Sequence, residues 1–191
     1  MKYWIGWENP SKVDKLDRYW KKHLYRRQLA YRILRELRGE VYTVLDVGCG
    51  TGVDYPFFRS LGWRYVGCDL ASQMLKKIRS KYQAPVIGRG DLCSLPFRSQ
   101  SFDLVYSSAV LCHLPEDLLD PAMMELLRVA KKYLVLAIPY VIDEATRVEV
   151  RNGFIVRFFN LFHLLSFLKS YAEIQHVERE DDILVAVMTP R

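Results

Sequence analysis

The chain is short of cysteine: Cys49, Cys68, Cys93 and Cys112 are all it has, 19, 25 and 19 residues apart. They form no CxxC pair and no HxxxH stands near them, so neither a zinc site nor a disulfide scaffold is expected. Each falls at or just past the end of an expected strand, as a reduced thiol that packs or lines a pocket. No apolar run approaches the roughly 18 to 20 residues of a membrane span, and Met1-Lys2-Tyr3-Trp4-Ile5-Gly6-Trp7-Glu8 lacks the apolar core of a signal peptide. A soluble, cytoplasmic protein is the expectation. Repeats and low-complexity segments are missing too, which excludes collagen and coiled coil. With 12 Tyr, 9 Phe and 4 Trp among 191 residues, half of them apolar, the chain is too rich in core-forming side chains for disorder. One domain spanning 1–191 is expected.

What the sequence has is unevenly placed charge. The whole chain carries 28 Lys and Arg against 22 Asp and Glu, a net of +6. Residues 11–38 alone hold ten cations (Lys12, Lys15, Arg18, Lys21, Lys22, Arg26, Arg27, Arg32, Arg35, Arg38) against three anions (Asp14, Asp17, Glu36), a net of +7. The stretch has no Gly or Pro, opens with Ser11 as the expected N-cap and stops at Gly39, so it reads as one long or two consecutive helices. Leu16, Tyr19, Trp20, Leu24, Leu29, Ile33, Leu34 and Leu37 recur at helical spacing, leaving Lys and Arg to cover the other face. Such a face either attracts a polyanion or merely keeps the helix in water. The interleaved Tyr19, Trp20, Tyr25 and Tyr31 are placed to stack on bases, to wall a pocket, or simply to pack.

From Val41 onward, short β-branched runs alternate with helical stretches. Strands are expected at 43–47, 65–68, 85–87, 104–107 and 133–137, and helices at 55–60, 71–81 and 115–130. That alternation implies a parallel sheet covered on both faces, a doubly wound α/β fold. Further on, Arg147-Val148-Glu149-Val150-Arg151-Asn152-Gly153-Phe154-Ile155-Val156-Arg157 alternates around Asn-Gly, the signal of a hairpin with a type I′ turn. A helix around 159–169 follows. The last two strands, 173–177 and 183–188, are joined by the acidic Glu178-Arg179-Glu180-Asp181-Asp182, too short for a crossover, so they run antiparallel.

The most informative residues are Val44-Leu45-Asp46-Val47-Gly48-Cys49-Gly50-Thr51-Gly52, a strand that runs into three glycines. Glycines there allow a sharp turn and close approach of a ligand to the main chain, at the carboxyl-end crevice of a doubly wound sheet. The spacing is GxGxG, whereas a dinucleotide fingerprint is GxGxxG and position 53 is Val, which disfavours a dehydrogenase. Asp46 would repel a pyrophosphate and suits a ligand with an ammonium or sulfonium group. S-adenosylmethionine carries both and no phosphate. Asp69, ending the next strand, is placed to accept from ribose hydroxyls, and Asp91, after the third, from an adenine amino group.

Four stretches in order now stand out: Leu45 to Gly52; Val66-Gly67-Cys68-Asp69-Leu70-Ala71-Ser72-Gln73-Met74-Leu75; Gly90-Asp91-Leu92-Cys93-Ser94-Leu95-Pro96-Phe97; and Ser101-Phe102-Asp103-Leu104-Val105-Tyr106-Ser107-Ser108-Ala109-Val110-Leu111-Cys112-His113-Leu114. In these, over residues 41–139, the sequence resembles the class I S-adenosylmethionine-dependent methyltransferases, in particular their small type 11 branch. The resemblance implies a seven-stranded, mostly parallel sheet with an antiparallel last strand, and S-adenosylmethionine as cofactor. It implies that Asp46, Gly48, Cys49 and Gly50 line the methionine end, that Asp69 grips the ribose and that Leu70 and Met74 flank the adenine. Asp91 and Leu92 would stand at the adenine edge, and Ser107 beneath the sulfonium. Asp103 opens the fourth strand at the far end of the sheet and reads as structural. The family's usual Lys-Pro-Gly-Gly before the fifth strand is replaced by Arg128-Val129-Ala130-Lys131-Lys132-Tyr133, an altered turn away from the cofactor. After strand four, Ser107-Ser108-Ala109-Val110 replaces the Asn or Asp followed by two prolines of members that methylate planar nitrogens, which disfavours that branch.

Within this frame, residues 1–40 are a basic helical cap, 41–140 the cofactor-binding core, 141–160 a hairpin insertion and 161–191 a C-terminal helix with antiparallel strands. No metal is expected. If the acceptor needs a base, His113 at the pocket mouth is the candidate, with His23 on the basic helix a weaker one, while His163 and His176 read as core or surface. The cap and the hairpin, with Arg147, Arg151 and Arg157, would roof the acceptor site, and both are cationic. An anionic acceptor follows, a small molecule ahead of RNA, and RNA ahead of protein. The alternative is a cofactor-binding module that regulates a partner without catalysing.

Overall fold

β1 (Thr43–Val47), β4 (Phe102–Ser108) and β5 (Ala130–Val141) are apolar on both faces, the pattern of strands covered from either side, and they form the centre of the sheet. The computed structural model describes residues 5–83, 85–142, 145–151 and 154–191. β2 (Arg64–Asp69) and β3 (Ile87–Arg89) extend the centre in parallel, in the order β3-β2-β1-β4-β5. At the other edge β9 (Ile183–Thr189) lies antiparallel to β5, and β8 (Glu173–Glu180) antiparallel to β9. These seven strands are the expected mostly parallel sheet. A hairpin of β6 (Arg147–Arg151) and β7 (Phe154–Asn160) adds two more, β7 joining β5 in parallel through Tyr140 opposite Phe159 and Val141 opposite Asn160. Asn152-Gly153, on which the type I′ turn rests, lie outside the described residues.

Side chains alternate between the two faces of the strands and so build two cores. Leu45, Val47, Val105, Leu134, Leu136 and Ile138 pack under α5 (Leu119–Val129) and α6 (Leu161–Tyr171). Val44, Leu104, Tyr106, Val135 and Ala137 pack under α2 (Gln28–Glu36) and α3 (Tyr55–Ser60). The strand order reverses between β1 and β4, and a doubly wound sheet opens its crevice at that point, at the carboxyl ends of the strands. Asp103, at the opposite end, accepts from Tyr42 N at 3.0 Å, Thr43 N at 3.1 Å and Thr43 Oγ1 at 3.2 Å, so it ties β4 to the start of β1.

Three local expectations are corrected. The basic stretch forms α1 (Pro10–Lys22), a 3-10 turn at Leu24–Arg27, and α2; the cap of α1 is Asn9 rather than Ser11, because Pro10 occupies the first helical position and needs no N–H bond there. α5 passes into β5 at Ala130 with no turn, since Arg128 is held by Glu125 and by the carbonyls of Leu95 and Phe97. The acidic segment belongs mostly to β8, and only Asp181-Asp182 turn the chain, Asp181 taking φ of 52°. Among the described residues no helix is long and apolar enough to cross a membrane.

Candidate functional site

The end of β1 folds onto the end of β2. Gly48 N and Cys49 N both donate to Cys68 O, at 2.8 and 3.0 Å, with Gly48 in the left-handed region at φ 73°. A Cβ at Gly48 would also meet Val110 Cγ2 at 2.3 Å. The turn therefore holds only with glycine there, packed under the segment that follows β4.

Two residues beyond Gly48 the turn meets Asp69. Gly50 N donates to Oδ2 and Ala71 N to Oδ1, each at 2.9 Å, so both carboxylate oxygens are oriented and each keeps a lone pair. Burial pushes Asp69 up to about 6, against the pull of those N–H groups. The glycine turn and Asp69 stand on the wall of a cleft of about 250 Å³, whose same wall includes Cys49, Leu70, Met74 and Leu92. The turn itself holds no Lys or Arg. A close main-chain approach, an oriented carboxylate and no cation suit a sulfonium nucleoside and not a pyrophosphate.

Not every residue named from the sequence reaches that wall. Asp46 is 2 % exposed and accepts from Tyr65 Oη at 2.9 Å; burial and nearby Asp54 raise it well above the usual carboxylate range. Ser107 is buried, its hydroxyl donating to Val47 O at 3.1 Å. Asp91 closes a turn by accepting from Cys93 N at 3.0 Å, and only its neighbour Leu92 lines the cleft. These three hold the strand ends in place.

The N-terminal segment closes the cleft. Trp7, Leu16, Tyr19 and Trp20 line the same cleft as the glycine turn. Glu8 caps α4 (Ser72–Lys81), accepting from Ser72 N at 3.0 Å and Ser72 Oγ at 2.8 Å. Lys77 pairs with Asp14 at 2.8 Å, and Lys81 with Asp17 at 2.6 Å while also reaching Thr51 O at 2.7 Å. The expectation that the cations of 11–38 simply cover an outer face is corrected at several positions. Arg27 is buried, paired with Asp54 at 3.0 Å, bonded to Ser108 Oγ at 2.7 Å and stacked over Trp20 at 4.4 Å. Arg26 pairs with Asp182, Arg32 with Glu178, and Lys21 with Asp17. Arg26 and Arg27 line the cleft.

His113 also lines the cleft, beneath the hairpin. Its Nδ1 lies 2.5 Å from Ile155 O, and Trp7 meets the ring edge-on at 5.0 Å. Burial lowers its pKa, so near neutrality the ring is uncharged, Nδ1–H donates to the carbonyl and Nε2 keeps its lone pair. His23 instead bonds Tyr19 O at 2.7 Å and stacks on Tyr19, away from the wall. Of the hairpin arginines, Arg157 donates to Leu114 O at 2.9 Å and Arg147 pairs with Glu149 at 2.8 Å. Val156 and Phe158 are what the hairpin contributes to the cleft. Glu8, Asp54 and Ser108 were not singled out from the sequence. The one signal for Asp54 was its place two residues after the last glycine of the turn.

Known proteins are similar to this chain. The family described as "Methyltransferase domain" matches residues 45–138, the span from the glycine strand to β5. Over residues 45–138 the chain is thus similar to methyltransferase domains. The malonyl-[acyl-carrier protein] O-methyltransferase of Hamiltonella defensa is 34% identical over 87 residues, 44% of this chain and 33% of that protein. The enzyme of the same name from Erwinia pyrifoliae is 36% identical over 106 residues, 55% of this chain and 40% of that protein. The chain thus spans a third to two fifths of the length of these relatives. Among solved structures, a protein from Pyrococcus horikoshii superposes with a TM-score of 0.74 at 21% identity, over 88% of this chain and 91% of that one. The 1,6-didemethyltoxoflavin-N1-methyltransferase of Burkholderia thailandensis superposes with a TM-score of 0.73 at 17% identity, over 95% and 87%. These two likenesses are of fold.

Proposed function

We propose that the chain is an enzyme that transfers a methyl group from S-adenosylmethionine to a small anionic molecule, taken up free or as the tip of a narrow arm. The observation that carries this reading is that the cap residues Trp7, Tyr19 and Trp20 wall the same cleft as Gly48, Gly50 and Asp69. Donor and acceptor then share one chamber under a tethered roof. The pairing of Lys21, Arg26, Arg27 and Arg32 with carboxylates weakens the case for the basic stretch as an RNA surface. Malonyl-[acyl-carrier protein], named for the two enzymes above, has an acceptor of the proposed kind.

In this reading the chain's own work is alignment. S-adenosylmethionine supplies the methyl group on a sulfonium that leaves as a neutral thioether. Asp69 and the main chain of the glycine turn hold the nucleoside end, and the aromatic cap excludes water and restricts the acceptor's approach. His113 is the candidate base, with Nε2 free to take a proton from a hydroxyl or amine.

The test is a calorimetric titration with S-adenosylhomocysteine, followed by incubation with methyl-labelled donor and fractionated cell extract. Label is expected in the small-molecule fraction, or on protein and released when hydroxylamine cleaves a thioester. Label confined to RNA, or to protein and resistant to hydroxylamine, would overturn the reading.

A further inference from the structure

Four buried side-chain N or O atoms among the described residues lack a hydrogen-bond partner, and three of them belong to residues of the cleft wall: Nε of Arg26, Nε of Arg27 and Oγ1 of Thr51. A buried N–H left without an acceptor is costly, and two on neighbouring residues that line the cleft point to an acceptor that a ligand brings. The bonding of Arg27 says what kind. Its Nη1 makes both of its polar contacts, the ion pair with Asp54 and the hydrogen bond to Ser108 Oγ. The edge formed by Nε and Nη2 has none, and that edge presents two parallel N–H groups at the spacing of two carboxylate oxygens. The guanidinium carbon lies over the Trp20 ring, 4.4 Å from its centroid.

Charge narrows the choice of anion. Two cations, Arg26 and Arg27, and two carboxylates, Asp54 and Asp69, line the cleft; Asp69 belongs to the glycine-turn end, and at the arginine end Asp54, itself buried, neutralises Arg27, while the partner of Arg26 is Asp182, whose side chain is 36 % exposed in the β8–β9 turn and screened by water. The balance suits one negative charge. The position suits an acceptor, because Ser108 ends β4 and Val110, two residues on, is the side chain packed against Gly48.

We infer that the Nε–Nη2 edge of Arg27, backed by the charge of Arg26, is the binding site for a carboxylate of the methyl acceptor. This rests on the reading of the cleft as a methyl-transfer chamber. The fork gives the acceptor one orientation, Trp20 packs beside it, and Asp54 and Ser108 keep the fork aimed.

The experiment uses the protein saturated with S-adenosylhomocysteine and four probes, benzoate and hexanoate with their amides benzamide and hexanamide, titrated by saturation-transfer NMR. Both carboxylates are expected to bind at least tenfold more tightly than their amides. Arg27→Lys, which keeps the charge beside Asp54 and loses the fork, should cost the carboxylates at least tenfold while S-adenosylhomocysteine affinity stays within threefold. If Arg27→Lys fails to fold, Arg26→Gln with the wild-type comparison decides, the variant losing several-fold in carboxylate affinity only. Amides that bind as well as carboxylates, undiminished carboxylate binding in the variants, or displacement of benzoate by equimolar inorganic phosphate would overturn the proposal. Failure of the wild-type protein to bind S-adenosylhomocysteine would instead count against the methyl-transfer reading itself.

Discussion

Arg27 Nη1 and Asp54 Oδ2 stand 3.0 Å apart in a pair almost closed to solvent, and they join two parts of the chain that share no secondary structure. Arg27 ends the 3-10 turn between α1 and α2; Asp54 ends the glycine turn, where it also receives the Tyr31 hydroxyl at 2.7 Å. Burial opposes the charge on Arg27, yet Asp54 first, and Tyr106, Tyr31 and Asp46 with it, together more than offset it and keep the guanidinium protonated. The roof and the donor site are thereby one unit.

Breaking that pair from one side should be far worse than removing it. Asp54→Asn leaves a buried cation without its counter-ion and is expected to cost about 3 to 5 kcal/mol, whereas Arg27→Met with Asp54→Leu should cost much less. Urea denaturation of the three proteins checks the order. A single variant as stable as the double one would contradict it.

In the proposed role, Asp69 should make donor binding depend on pH. Its ionised form is the one with acceptors free on both oxygens, and burial raises its pKa from the usual 3.8 to about 6. S-adenosylhomocysteine should therefore bind about tenfold more weakly at pH 5 than at pH 7. For stability of the ligand-free protein the sign is opposite: a carboxyl whose pKa is raised on folding favours the folded state below the raised value, so this contribution is lost as pH rises from about 4 to about 6. Asp69→Asn should flatten the binding profile and weaken binding by roughly 1 to 3 kcal/mol. A slope that survives the substitution would show that another group titrates.

Gly48→Ala tests the turn. The new Cβ meets Val110 Cγ2 at 2.3 Å and sits on a backbone at φ 73°, so a loss of about 2 to 4 kcal/mol is expected. Adding Val110→Ala removes the clash and leaves the strain, so thermal melts should show partial recovery. Full recovery would mean that the backbone conformation costs nothing there.

His113 acts, in the proposed role, only when neutral. Because burial lowers its pKa below the usual 6.5, kcat should hold level through neutrality and fall only under more acidic conditions. His113→Asn, which retains a donor for Ile155 O, is expected to reduce kcat by about 100-fold and abolish that acid limb. Near wild-type turnover would leave His113 as a packing residue under the hairpin.

The strand and its glycines were legible from sequence because what they do is local: Leu45 to Gly52 encode burial, turn and close approach within eight residues. Asp69 was legible for the same reason, as the last residue of the neighbouring strand. Asp46, Asp91 and Ser107 have the right addresses, but a strand-end address does not say which way a side chain turns. Tyr65, which takes the Asp46 carboxylate inward, is 19 residues away. The roof was hardest to read. Glu8 meets Ser72 64 residues on, and Ser108 lies 81 residues from Arg27, so no helical period along 11–38 could separate the buried arginine from its exposed neighbours.

The clamps between α1 and α4 have a kinetic corollary. Asp14 with Lys77, and Asp17 with Lys81, fasten the roof over the donor chamber from its rim, so the spent nucleoside leaves only when these contacts part. In the proposed function these contacts make donor exchange the step that opens the roof, and added salt that loosens the rim should hasten release while it loosens the grip on the incoming donor.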